Sequence, residues 1–191
     1  MATGRLILRA TVGGLMLGHG LQKLKGSFDG PGLEGTEAMM GAIGMHPAKQ
    51  QALAAALSET IGGGLTAAGL LSPLGPAMIT GTMAVAIRKV HGKNGVWATG
   101  GGYEYNLTLI AAATALAAEG PGYLSLDGLF RRQRSGLKWA LVDLALGLGG
   151  AAAALAVAER MAPGEGAAPV ETGETAVTEA PAGGSVETPG D

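Results

Sequence analysis

The sequence contains no cysteine, so it holds no disulfide framework, no thiolate metal site, no iron–sulfur cluster and no thiol intermediate. For the same reason, cysteine usage says nothing about redox compartment. Charge is also scarce. Asp, Glu, Lys and Arg make up 15% of the residues, against roughly a quarter in ordinary soluble domains, too few to coat a soluble surface. A net charge of −2 without a basic stripe removes the electrostatic footprint of a nucleic-acid binder. No HExxH, P-loop or GxSxG pattern is present, which leaves metalloprotease, NTPase and serine hydrolase chemistry without support. Arg5 and Arg9 precede the apolar stretch 10–18, yet the small-residue cleavage pattern of a signal peptide is missing and His19, Gln22 and Lys23 follow instead.

What remains is apolar and rich in glycine: 47% hydrophobic residues, 35 glycines and a mean hydropathy of +0.30. The glycines have no G-X-Y period, which excludes collagen, and many sit inside apolar runs, as close helix contacts in lipid require. Gly14 and Gly18 stand four apart, Gly62 to Gly64 lie beside Ala67 and Ala68, and Gly147 lies four before Ala151. The chain reads as an all-α integral membrane bundle.

Residues 60–87 carry no charge, a run too long for one ordinary span and broken by Ser72-Pro73-Leu74-Gly75-Pro76. This predicts a transmembrane hairpin with arms at 47–71 and 74–90. Further spans are predicted at 6–24, 103–118 and 138–158. None shows the charged face of a soluble amphipathic helix. Trp97, Tyr103, Tyr105, Tyr123 and Trp139 fall near predicted helix ends, as an interfacial aromatic belt would. Residues 25–46 read as a loop with a short surface helix near 36–43. Residues 161–191 contain several prolines and scattered Glu with no Lys or Arg, and read as a disordered acidic tail.

Alternating spans place Arg5, Arg9, the hairpin turn, Arg131, Arg132, Arg134 and Lys138 on one side. Discounting charges inside helices, the cluster at 131–138 favours a cytoplasmic location for that side and for the N-terminus.

Glu59 and Arg88 bracket the uncharged hairpin, each fourteen residues from its turn. At 1.5 Å per residue both lie about 21 Å from that side, at one depth in the hydrocarbon. An ion pair between them is the simplest expectation, since an unpaired charge there is costly. Such a pair could merely staple the hairpin. His19 and Lys23, four apart on one helix face, and His91 and Glu104 converge on the same half. Two His, two Glu, one Lys and one Arg could relay protons, bind an anion or hold a quinone headgroup. Simpler roles exist: Lys23 could snorkel, Glu104 could stabilise a helix N-terminus, and either histidine could be an ordinary interfacial residue.

Four stretches carry a family resemblance: Arg9 through Gly18-His19-Gly20 to Lys23-Leu24; Glu59-Thr60-Ile61-Gly62-Gly63 through Gly69-Leu70-Leu71; Lys89-Val90-His91-Gly92; and Gly101-Gly102-Tyr103-Glu104-Tyr105-Asn106-Leu107. A fifth is Gly120-Pro121-Gly122-Tyr123-Leu124-Ser125-Leu126-Asp127. Together they resemble the DoxX family of small bacterial and archaeal membrane proteins. The resemblance implies a four-helix transmembrane domain over 5–130, beyond which lie an additional transmembrane helix at 137–160 and the tail at 161–191. It implies a plasma-membrane location and an association with redox stress or sulfur metabolism, the family taking its name from a subunit associated with a thiosulfate:quinone oxidoreductase. It also groups His19, Lys23, Glu59, His91 and Glu104, with Asp127 closing the last motif.

The leading expectation is a redox-associated membrane subunit that interacts with quinone or a small sulfur anion such as thiosulfate. With no cofactor held by the chain itself and no metal site in the pattern, electrons would need a bound quinone or a partner redox enzyme. Catalytic residues stay unassigned, and membership as a subunit of a quinone-linked oxidoreductase stays open. The alternatives are a small-molecule transporter with a proton-coupled intramembrane site and a membrane scaffold for soluble redox enzymes.

Overall fold

Helix formation follows from long Ala- and Leu-rich stretches in which proline and glycine cluster at the breaks. The structure, a computed structural model, describes residues 2–163, and every regular element among them is helical. The helices are α1 (Ala2–Lys25), α2 (Gly32–Ala42), α3 (Ala48–Ala68), α4 (Leu74–Ala86), α5 (Glu104–Glu119), α6 (Leu126–Leu129) and α7 (Leu137–Arg160). A π-helical turn, Ile87–His91, continues α4. The surface helix starts at Gly32, four residues before its expected start, and α6, which no expected span covers, begins in the last two residues of the 120–127 motif. The part of the expected acidic tail from residue 164 onward lies outside the described residues.

Helices α1, α3, α4 and α5 alternate in direction, and α7 runs alongside α4. One end of the bundle, end A, gathers the N-terminal turn of α1, the α3–α4 turn, the 120–127 segment and the start of α7. The opposite end, end B, gathers the end of α1, α2, the π turn and the start of α5. Arg9 at end A donates to the Ala67 carbonyl, and Lys23 at end B meets Glu59, which fixes the antiparallel register of α1 on α3.

Glycine sets how close the helices come. A Cβ on Gly63 would sit 2.7 Å from the Gly13 carbonyl oxygen, and one on Gly20 would sit 2.7 Å from the Thr60 Cα. A Cβ on Gly147 would sit 2.7 Å from the Thr80 Cβ, and one on Gly81 would lie 3.0 Å from the Gly147 carbonyl oxygen. Gly14 and Gly18, by contrast, have nothing within 4 Å of such an atom. The contact face of α1 therefore carries Gly13 and Gly20. Gly14 follows Gly13 by one residue, about 100° around the helix, and so points outward.

The central core is Val12, Met16, Ile79, Met83, Leu109, Ala113 and Leu116, drawn from α1, α4 and α5. A second cluster of Met40, Met45, Ala52 and Ala158 ties α2 to α3 and α7 at end B. The outward faces carry exposed Ile7, Leu15, Ile61, Leu107, Leu141 and Leu146. Helix α7 is long and apolar enough to cross a membrane.

Candidate functional site

Glu59 projects from the α1-facing side of α3, the side that also carries Thr60, Gly63 and Ala67 against α1. Its carboxylate is paired with the Lys23 ammonium, the Glu59 side chain being 5% exposed and the Lys23 side chain 23%. Close contact at Gly20 brings Lys23, nearly one turn later, to this position. Thr36, fully buried in α2, donates its hydroxyl to Gly32 O at 2.7 Å and to Lys23 O at 3.3 Å, tying α2 to the end of α1.

The expected partner of Glu59 was Arg88, and the structure corrects this. Arg88 lies in the π turn and is exposed. Equal distance from the hairpin turn sets depth but not direction around the helix axis, and α3 turns Glu59 toward α1. The wider π turn also takes Arg88 off the 3.6-residue repeat of α4.

The remaining expected residues make local contacts. His19 is exposed, with Nδ1 3.0 Å from Gln22 Oε1. His91 Nδ1 lies 2.9 Å from the Gly101 carbonyl, and Asn94 donates to the same oxygen at 3.1 Å. Glu104 opens α5, donating its backbone N–H to Val96 O at 2.8 Å. His19, His91 and Glu104 thus share end B with the ion pair without bonding to it. Asp127 is placed elsewhere: it is buried at end A, where Oδ2 accepts the Ser72 N–H at 2.9 Å and Oδ1 has no partner. Its backbone N–H donates to Gly69 O, and Gly69 lies ten residues, or about 15 Å of helix rise, from Glu59. The carboxylate pins the hairpin turn.

Two buried charges escaped the sequence reading. Asp143 on α7 is fully buried and accepts hydroxyl hydrogen bonds from Thr114 of α5 at 2.7 Å and Thr80 of α4 at 3.3 Å. The available signal was one acid in an otherwise uncharged run, with two Thr in each facing helix. Arg9, which opens the first resemblance stretch and was given no role beyond topology, is buried and donates to the carbonyls of Ala67, Pro121 and Leu124. No group of three or more His, Asp or Glu side chains suited to a metal ion occurs among the described residues.

The Lys23–Glu59 pair supplies a desolvated carboxylate beside an ammonium that keeps part of its surface open. Such a pair can present an N–H to an incoming oxygen and exchange a proton next to it. Residues 4–92 match the DoxX family model. That stretch contains His19, Lys23, Glu59, Arg88 and His91, and ends before Glu104, Asp127 and Asp143. No curated protein and no solved structure matches the chain.

Proposed function

Because residues 4–92 make this chain a member of the DoxX family, we propose that it is a membrane subunit in redox or sulfur metabolism that engages quinone or a small sulfur anion such as thiosulfate at end B. The observation that carries this reading is the Lys23–Glu59 pair, buried between two helices of a bundle whose outer faces are apolar. Keeping such a pair out of water is costly and is repaid only by good geometry and added hydrogen bonds, and ionisable groups in apolar surroundings of this kind mark functional sites by default. Lys23 would donate to a quinone carbonyl or an anion oxygen, and Glu59 would hold or release the accompanying proton. A bound quinone would accept the electrons, and a partner redox enzyme would supply them.

In this reading α1, α3, α4 with its π turn, and α5 span the plasma membrane, and α7 adds a fifth span. Exposed Ile7, Leu15, Ile61, Leu107 and Leu141 support that placement, being outward-facing where a soluble protein would carry charge. End A, with Arg5, Arg9, Arg131, Arg132, Arg134 and Lys138, faces the cytoplasm.

The test is purification in lipid, with mass spectrometry of retained small molecules and an assay of quinone reduction with any copurified partner. Retained quinone, with reduction impaired several-fold by Glu59→Gln, is expected. Protein that retains no quinone or sulfur anion and leaves quinone reduction unchanged overturns the reading. Asp143 favours a second reading, a proton-coupled transporter, because it places another acid inside the helical core. Gradient-dependent solute flux in proteoliposomes, lost in Asp143→Asn, would support it.

A further inference from the structure

Among the described residues, Arg5 and Arg9 at end A carry positive charge that ion pairing only partly balances. Arg9 is 5% exposed, and its N–H groups are met by the carbonyls of Ala67, Pro121 and Leu124. Those dipoles satisfy hydrogen bonding without bringing a negative charge, and among the described residues no carboxylate lies within ion-pair range of Arg9. Arg5, one turn earlier, donates to Glu119 O at 2.8 Å and stands 3.6 Å from the Glu119 carboxylate, whose side chain is 66% exposed. Its Nε is buried without an acceptor. Two guanidinium groups are thus answered by one largely solvated carboxylate.

Both arginines line a cavity of about 220 Å³ walled by the 121–124 segment. Arg5 also lines a second, open cavity of about 350 Å³ between α1 and α5, whose apolar walls are Gly4, Leu8, Ala115 and Leu116. The groove is open at Gly4, where a Cβ would meet nothing within 4 Å. Tyr123 and Leu124, which line the basic cavity, are exposed, as residues seated at a membrane surface are.

We propose that end A binds an anionic phospholipid, with its phosphate against Arg5 and Arg9 and one acyl chain in the α1–α5 groove. Guanidinium N–H groups match phosphate oxygens in geometry and charge. Basic pockets between transmembrane helices on the cytoplasmic side recognise anionic headgroups in this way. A zwitterionic lipid fits less well because its own cation would face the surplus arginine charge. The inference rests on the membrane-spanning reading of the bundle.

Native mass spectrometry of the full chain released from detergent tests it, with phosphatidylglycerol, phosphatidylcholine of the same acyl chains, or inorganic phosphate added. The wild-type chain is expected to retain phosphatidylglycerol several-fold over phosphatidylcholine. Arg5→Gln should lower that ratio about fivefold, the effect of one cation near an anionic headgroup, and Arg5→Lys should preserve most of it. Gly4→Leu should reduce adducts of both lipids while leaving helix content intact. Equal retention of the two lipids, an unchanged ratio in Arg5→Gln, or unchanged adducts in Gly4→Leu overturns the proposal. So does retention of inorganic phosphate without lipid, which would make this a free-anion site. Recovery of the chain in the soluble fraction without detergent overturns the membrane reading instead, whereas a membrane-inserted chain without lipid preference overturns only the lipid site.

Discussion

Lys23 and Glu59 form one ion pair but differ in burial, and that difference makes their separate removal unequal. Lys23→Met leaves the Glu59 carboxylate in a site where its side chain is only 5% exposed. An uncompensated buried charge of this kind costs about 3–5 kcal/mol. Glu59→Leu leaves an ammonium whose side chain is already 23% exposed and sits near the end of α1, from which it can reach outward. That should cost about 1 kcal/mol, because a long lysine stem keeps its apolar contact while the head finds water or headgroups. The double variant Lys23→Met/Glu59→Leu replaces the pair with apolar side chains and should return to within about 1 kcal/mol of the parent. Thermal unfolding in detergent, followed by helical circular dichroism, measures the series. At about 2–4 °C per kcal/mol for a chain of this length, Lys23→Met should lower the midpoint by about 10 °C and the double variant by a few degrees at most. If the two single losses are equal and simply add in the double variant, the pair has no coupling and the argument for a buried, interdependent site is wrong.

Three further outcomes follow from the packing and topology. Gly63→Ala should destabilise by about 1–3 kcal/mol, because the new methyl meets backbone of α1, whereas Gly64→Ala, with nothing within 4 Å, should be neutral or stabilising by about 0.5–1 kcal/mol; paired thermal melts decide it. Asp143→Ala should cost about 1–3 kcal/mol and expose α7 to limited proteolysis, since the Thr80 and Thr114 hydroxyls lose their shared acceptor; Asp143→Asn, which keeps an acceptor oxygen, should be milder. The absence of native cysteine allows single-cysteine topology mapping: Lys93→Cys should react with an impermeant maleimide on intact cells, and Thr3→Cys only after permeabilisation. The reverse pattern would place end A outside.

The helical segments were readable because their signal is one-dimensional. An uninterrupted apolar run implies a helix and a Ser-Pro-Leu-Gly-Pro break implies a turn, so the expected arms at 47–71 and 74–90 meet α3 and α4 within a few residues. The short α6 was not readable, since four residues of helix rest on a local device. The Ser125 hydroxyl accepts the Gly128 N–H, and the Asp127 carboxylate accepts the Ser72 N–H from a distant part of the chain. Glycine content likewise announced close packing, but of the expected positions Gly62, Gly63 and Gly147 are packed while Gly14, Gly18 and Gly64 are open. Gly13 and Gly14 are neighbours in sequence and opposite in role.

The same distinction governs the candidate site. Counting residues from the hairpin turn places Glu59 and Arg88 at one depth, but a pair also requires both side chains to point into the same helix interface. That direction is set by contacts among helices: Gly13 on Gly63 and Gly20 on Thr60 rotate α3 so that Glu59 faces Lys23. Asp143 was hidden for a related reason. A single acid in α7 carries no periodicity, and its meaning emerges only when α4 and α5 bring Thr80 and Thr114 to it from more than sixty residues upstream and nearly thirty. The family match stops at residue 92, so Asp143 and its Thr114 partner lie beyond it. A buried acid held by hydroxyls from two other helices is therefore the feature of this chain that neither periodicity nor family likeness could supply, and Asp143→Asn is the substitution that separates its packing role from any role in transport.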